Sequence, residues 1–128
     1  MRESDLIWLA GLLEGEGTFD LHKQKYPRIR VGMADRDVVG RAATLLGSNI
    51  RMSISTVGYK AMFHAELSGK RAAEIMWLLL PHMGTRRSAK IGEILGRYEW
   101  LSGRPQIAGS TTLPGPALTR IPGIPKSA

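Results

Sequence analysis

The chain has no cysteine, which excludes disulfides and thiolate zinc sites and suits a reducing compartment. Histidine is sparse too. His22, His64 and His82 are scattered without metal-ligand spacing, so no zinc site is expected. No long apolar run is present. Leu6 to Leu13 is far short of a bilayer span and lacks a basic flank of any size, so neither a membrane segment nor a secretory leader is expected. Acids are outnumbered: 11 Asp and Glu face 18 Lys and Arg, a net charge of +7 that favours a polyanionic partner, nucleic acid first and an anionic membrane surface second. What remains is a 128-residue chain, 43% hydrophobic, long enough for one well-cored domain. The expected location is cytoplasmic, in a prokaryote or encoded by a phage, or organellar; secretion is not expected.

Composition changes near Ser102. Five of the seven prolines lie beyond it among Gly, Ser and Thr, and no apolar periodicity survives there. Residues 102–128 are therefore read as a flexible or surface-laid tail, and residues 1–101 as the folded domain. In that domain a helix starts at a Ser4 or Asp5 N-cap and runs to about Gly15. Thr18 to Gln24 alternates, with Phe19 and Leu21 opposite Thr18, Asp20, His22 and Gln24. After a turn near Tyr26 and Pro27, Ile29, Val31 and Met33 oppose Arg28, Arg30 and Gly32. Asp35 caps a helix over 36–46 that Gly47 stops. The pattern then repeats: Ile50, Met52 and Ile54 oppose Arg51, Ser53 and Ser55; Gly58 turns the chain; Tyr59, Ala61, Phe63, Ala65 and Leu67 oppose Lys60, Met62, His64 and Glu66. A helix over 69–80 ends at Pro81, and a last one covers 86–101. Trp8, Trp77 and Trp100 fall on helices, as core or interface. The order αββαββαα predicts an α+β fold: a four-stranded antiparallel sheet with helices on one face and the other face wet.

Residues 9–17 read Leu-Ala-Gly-Leu-Leu-Glu-Gly-Glu-Gly. A helix C-terminus already carries partial negative charge, so Glu14 and Glu16 there oppose stability unless a cation neutralises them. Gly11 and Gly15 share a helix face and let another backbone approach closely. Gly17 suits a left-handed cap. A close-packed helix pair delivering carboxylates to one point would make a metal site.

This segment resembles the LAGLIDADG motif of the homing endonucleases, with Glu in place of each Asp. The resemblance covers about residues 5–101 and implies an αββαββα core with a curved sheet whose open face binds DNA. It also implies a homing endonuclease that makes a metal-dependent double-strand cut in a long, roughly palindromic target, across the minor groove between half-sites. Carried over, Glu16 is the acid that binds Mg²⁺ at the scissile phosphate, with the Gly15 carbonyl as a further ligand, while Glu14 organises the helix end. A single motif copy implies a homodimer paired through Ala10, Gly11, Leu12 and Gly15. The basic residue expected at the start of the last helix matches Arg86 best, with Arg87 and Lys90 close behind. The polar, water-positioning side chain expected at the end of the second strand is missing from Gly32-Met33-Ala34-Asp35, where Asp35 is taken by its cap. No small-molecule substrate and no membrane partner are expected.

The outward strand positions support a nucleic-acid partner. His22, Gln24, Arg28, Arg30, Arg51, Ser53, Ser55 and Lys60 combine side chains that read base edges with side chains that hold phosphates. Asp20 is the awkward member among them. Two rival readings use less of the motif. One is a non-cleaving DNA- or RNA-binding protein on the same scaffold, a maturase or a transcription factor; the other is a basic protein of membrane surfaces or ribosomes.

Overall fold

A computed structural model describes residues 1–54 and 60–102. The elements run α1 (Glu3–Glu16), β1 (Gly17–His22), β2 (Tyr26–Met33), α2 (Arg36–Leu46), β3 (Ile50–Ile54), β4 (Ala61–Ser68) and α3 (Lys70–Leu79). A 3₁₀ turn over Leu80–His82 then leads to α4 (Thr85–Ser102). The chain divides into two compact units, Met1–Leu95 and Gly96–Ala128, with the boundary inside α4. Everything described below on the site belongs to the first. The expected Ser55 and Tyr59 strand positions, the Gly58 turn, the side chain of Trp100 and the tail beyond Ser102 lie outside the described residues. No described helix is long and apolar enough to cross a membrane.

The fold is the α+β arrangement that the alternation predicts. Its four strands form one antiparallel sheet in the order β1-β2-β4-β3. Helix α1 packs over β1 and β2, α2 over β4 and β3, and α3 over β2 and β4. Their buried faces are lined with small side chains, Ala42 and Ala43 on α2 and Ala72 and Ala73 on α3, which let the helix backbones sit close to the sheet. Leu9, Leu13, Ile29, Leu46, Ile75, Met76, Leu79, Ile91 and Ile94 fill the space between and are almost wholly shielded from solvent.

Local chemistry sets most boundaries. The Asp35 carboxylate accepts from the Val38 N–H, and Gly47 closes α2 with φ +75°, a left-handed conformation that a side chain would strain. The Ser48 N–H reaching back to the Ala43 carbonyl completes that cap. Pro81 ends α3 by forcing the 3₁₀ turn rather than a clean stop.

Four expectations are corrected. Helix α1 begins at Glu3, with Arg2 as an N-cap that makes no side-chain cap bond; Ser4 and Asp5 lie inside the helix, and Asp5 pairs with Arg2 and Arg41. Gly17 is extended, φ −88°, not left-handed. It is needed for space: an added Cβ would lie 2.7 Å from Leu13 Cδ2 and 2.8 Å from the Leu13 carbonyl oxygen. The first hairpin turns at Lys23 and Gln24, both with positive φ, under a bond from the Lys25 N–H to the His22 carbonyl. Gln24 is therefore a turn residue, while Tyr26 and Pro27 already belong to β2. On β3, Met52 and Ile54 are 57% and 59% exposed instead of buried, because this edge strand is only sparsely covered by α2. Of the tryptophans expected in core or interface, Trp77 stands 51% exposed on α3, and Trp8 is half-buried beneath the Arg41 guanidinium.

Candidate nucleic-acid interface and acidic centre

The register places the outward residues in rows across the sheet. Thr18 faces Arg30, and Arg30 faces Glu66; Gly32 faces His64, and His64 faces Arg51; Asp20 faces Arg28. Asp20 is the hub of this surface. Its carboxylate accepts from Arg28 Nε at 2.8 Å and Arg28 Nη2 at 2.9 Å, and from Arg30 Nη2 at 2.8 Å. The hydrogen bond from Arg28, reinforced by the charge of Arg30, holds the Asp20 carboxyl below its usual range against the opposing effect of burial. The same bond holds Arg28 further above its usual value. The remaining Arg28 nitrogen, Nη1, donates to His22 Nδ1 at 2.9 Å. Arg28 can only donate, so His22 Nδ1 accepts and leaves Nε2 as the donor edge of that ring. Asp20 thus resolves as an organiser of basic side chains.

Further along the same face, His64 leans over Gly32. A Cβ at Gly32 would lie 2.7 Å from His64 Nδ1, so only glycine accommodates the ring, and His64 Nε2 is fixed 2.8 Å from Ser53 Oγ. Between these groups lies an open hollow of about 300 Å³ lined by Thr18, Arg30, Gly32, Arg51, His64 and Glu66. Arg51 and Lys60 are exposed.

The motif helix ends beside this surface. Glu14 is not free: its Oε1 accepts from the Gly84 N–H at 2.8 Å, tying α1 to the residue that precedes α4. Arg87 comes back from α4 to the end of α1, donating to the Glu14 carbonyl at 3.2 Å and the Gly17 carbonyl at 2.6 Å. Those carbonyls are among the orphan acceptors of a helix terminus, and a guanidinium there also offsets the dipole. Glu16 is exposed and makes no hydrogen bond or ion pair among the described residues. A cleft of about 410 Å³ is lined by Thr18, Phe19, Arg86, Arg87, Ala89, Lys90 and Glu93. In it Arg86 is exposed, whereas Lys90 lies 3.7 Å from Glu93. Thr18 lines both this cleft and the sheet hollow.

Of the residues expected in a helix-pairing face, Gly11 and Gly15 are exposed with open space where a Cβ would stand, and Leu12 is half-buried. Ala10 is corrected: it is 2% exposed and belongs to the chain's own core. Ile7, one turn before Gly11 and 53% exposed, continues the open stripe instead. Site residues not singled out from sequence are Thr18, His64 and Glu66. Their signal was present, since the same alternation had placed all three on the outward face.

No group of three or more His, Asp or Glu gathers among the described residues. An exposed carboxylate such as Glu16 nonetheless suits Mg²⁺, which binds through one or two carboxylates, several waters and the oxygens of a substrate phosphate.

The chain matches no family model and no curated protein. Its fold does have solved counterparts. The homing endonuclease I-CvuI, in complex with its target and in the presence of 2 mM Ca, superposes with a TM-score of 0.59 at 15% identity, over 80% of this chain and 72% of that one. The group I intron-encoded homing endonuclease I-CeuI, complexed with DNA, gives 0.53 at 14% identity, over 79% of this chain and 57% of that one. The fold is therefore that of the LAGLIDADG homing endonucleases, as the motif resemblance implied.

Proposed function

We propose that this chain is a site-specific DNA endonuclease of the homing type, acting as a homodimer on a long, roughly palindromic duplex. The observation that carries the reading is Glu16: an exposed carboxylate, without a partner among the described residues, at the end of a glycine-lined helix and two residues before Thr18, which lines both the basic cleft and the basic sheet hollow. Residues 1–101 form the endonuclease-like domain in this reading, and residues 102–128 are an accessory tail.

Glu16, with the Gly15 carbonyl, would hold Mg²⁺, which when bound polarises the scissile phosphate and orients a water. The chain's own groups do the rest. The sheet face sits in the major groove and fixes register through Lys60 and the arginines. Arg86 reaches the phosphate from the cleft and stabilises the charge that builds on its oxygens. Arg87 and Glu14 do not touch substrate; they hold the end of α1 against the start of α4. A second copy, paired along Ile7, Gly11 and Gly15, brings the second Glu16 to the other strand.

The absence of a side chain at Gly32, on the outward face beside the motif, favours a second reading: a binder of DNA or RNA on the same scaffold that does not cut. Sequencing of breaks in a randomised plasmid library incubated with the protein and Mg²⁺, beside Glu16→Gln, separates the two. Recurrent two-strand cuts at one near-palindromic motif, absent in the variant, establish the nuclease. Specific retention of DNA without cuts establishes the binder.

A further inference from the structure

Arginine reads guanine best when its fork is free to face two adjacent acceptors. Arg28 fails that condition. Nε and Nη2 are committed to Asp20, and Nη1 to His22 Nδ1, with Glu66 Oε2 4.0 Å away. Arg51 meets it. This side chain is exposed on the edge strand, makes no hydrogen bond or ion pair among the described residues, and borders the hollow over Gly32. Arg30 faces the same hollow with a telling defect: Nη2 is held by Asp20, but Nε is buried without an acceptor. Buried donors in native proteins find partners, so an orphan in the wall of an open hollow points to an acceptor that enters from outside. Glu66, opposite Arg30 in the register, supplies an acceptor in the same wall.

Resting on the DNA-binding reading above, we propose that this hollow reads one G·C base pair through its major-groove edge. Arg51 takes guanine O6 and N7, the Arg30 side adds a donor, and Glu66 accepts from the cytosine N4 amine. A·T offers no such pair of adjacent acceptors on one base. The Ser53-held His64 ring, seated over Gly32, closes the side of the hollow. Arg28 is a positioning residue that buttresses the strand pair and reads no base. The sheet face thus divides into a locked half on β1–β2 and a reading half on β2–β4–β3.

The test is selection of bound duplexes from a randomised pool in metal-free buffer, for the unaltered protein and for Arg51→Ala, Glu66→Gln and Arg28→Ala. Thermal midpoints identify any variant that fails to fold; Arg51 and Glu66 are exposed, and their arm stands without Arg28. The unaltered protein should favour G·C at one position of each half-site by roughly 5- to 150-fold. Arg51→Ala should bring that position near unity and leave the others, Glu66→Gln should weaken the same position, and folded Arg28→Ala should lower retention evenly. Retention of every base preference by Arg51→Ala overturns the assignment, as does loss at a position that is not G·C. A base position erased by Arg28→Ala alone overturns it as well. A pool that the unaltered protein does not enrich at all would instead sink the DNA-binding reading itself.

Discussion

At the residue scale, two positions of the motif end separate chemistry from architecture. Glu16 has no partner among the described residues, and it sits where the helix dipole disfavours it. Glu16→Gln should therefore keep or slightly raise the thermal midpoint while lowering Mg²⁺-dependent cleavage by about 100-fold or more, read on a supercoiled plasmid carrying the selected target. Gly17 is the opposite case. Its neighbour Leu13 occupies the space a Cβ needs, with backbone as close as 2.8 Å. Gly17→Ala should cost about 1–3 kcal/mol by chemical denaturation, because the end of α1 must shift to admit one methyl group. The sequence had shown a glycine at this point, but it suggested the wrong reason for it. A left-handed cap and a close approach both call for glycine, and only coordinates separate them.

Elements meet at two clamps, each with its own signature. In the β1–β2 hairpin, Asp20 gathers Arg28 and Arg30, and its folded carboxyl titrates below the ordinary 3.8. That stabilisation is fully present above the unfolded value and is lost as pH falls through the lower, folded one. Asp20→Asn should thus be less stable than the unaltered protein by about 1–3 kcal/mol at neutral pH, with the gap closing in acid below pH 3.8, followed by urea unfolding across pH. Between α1 and α4, Arg87 serves two carbonyls at once; Arg87→Ala should cost about 1–3 kcal/mol in the same assay. Alternation in the sequence was enough to predict the strands, because period 2 with one buried face leaves few options. It did not predict the clamps, since register fixes which residues face each other but not which of two arginines an acid will hold. Nor did alternation foresee β3, whose apolar residues read as core until strand order put them at the edge.

For the molecule as a whole, the open stripe of Ile7, Gly11 and Gly15 is the test of assembly. Within one chain Gly11 needs no special space, and a helix-interior glycine is a net loss of about 1 kcal/mol relative to alanine. Gly11→Leu should therefore fold at least as well as the unaltered chain, yet sediment as a monomer if that face seats a second copy; a dimer that persists would remove the pairing proposal. The helix order and the acid pair were legible in the sequence because both are local patterns. The basic cleft was only half legible, as Arg86 and Arg87 are adjacent letters with different fates: one faces the cleft and the other is bound to α1. Glu14 and Gly84 are 70 residues apart, and their bond joins the first helix to the threshold of the last. During synthesis the acidic end of α1 leaves the ribosome early and waits for nearly the whole folded unit before it can be fixed in place. Any chain cut short before Gly84 carries the motif but lacks its anchor.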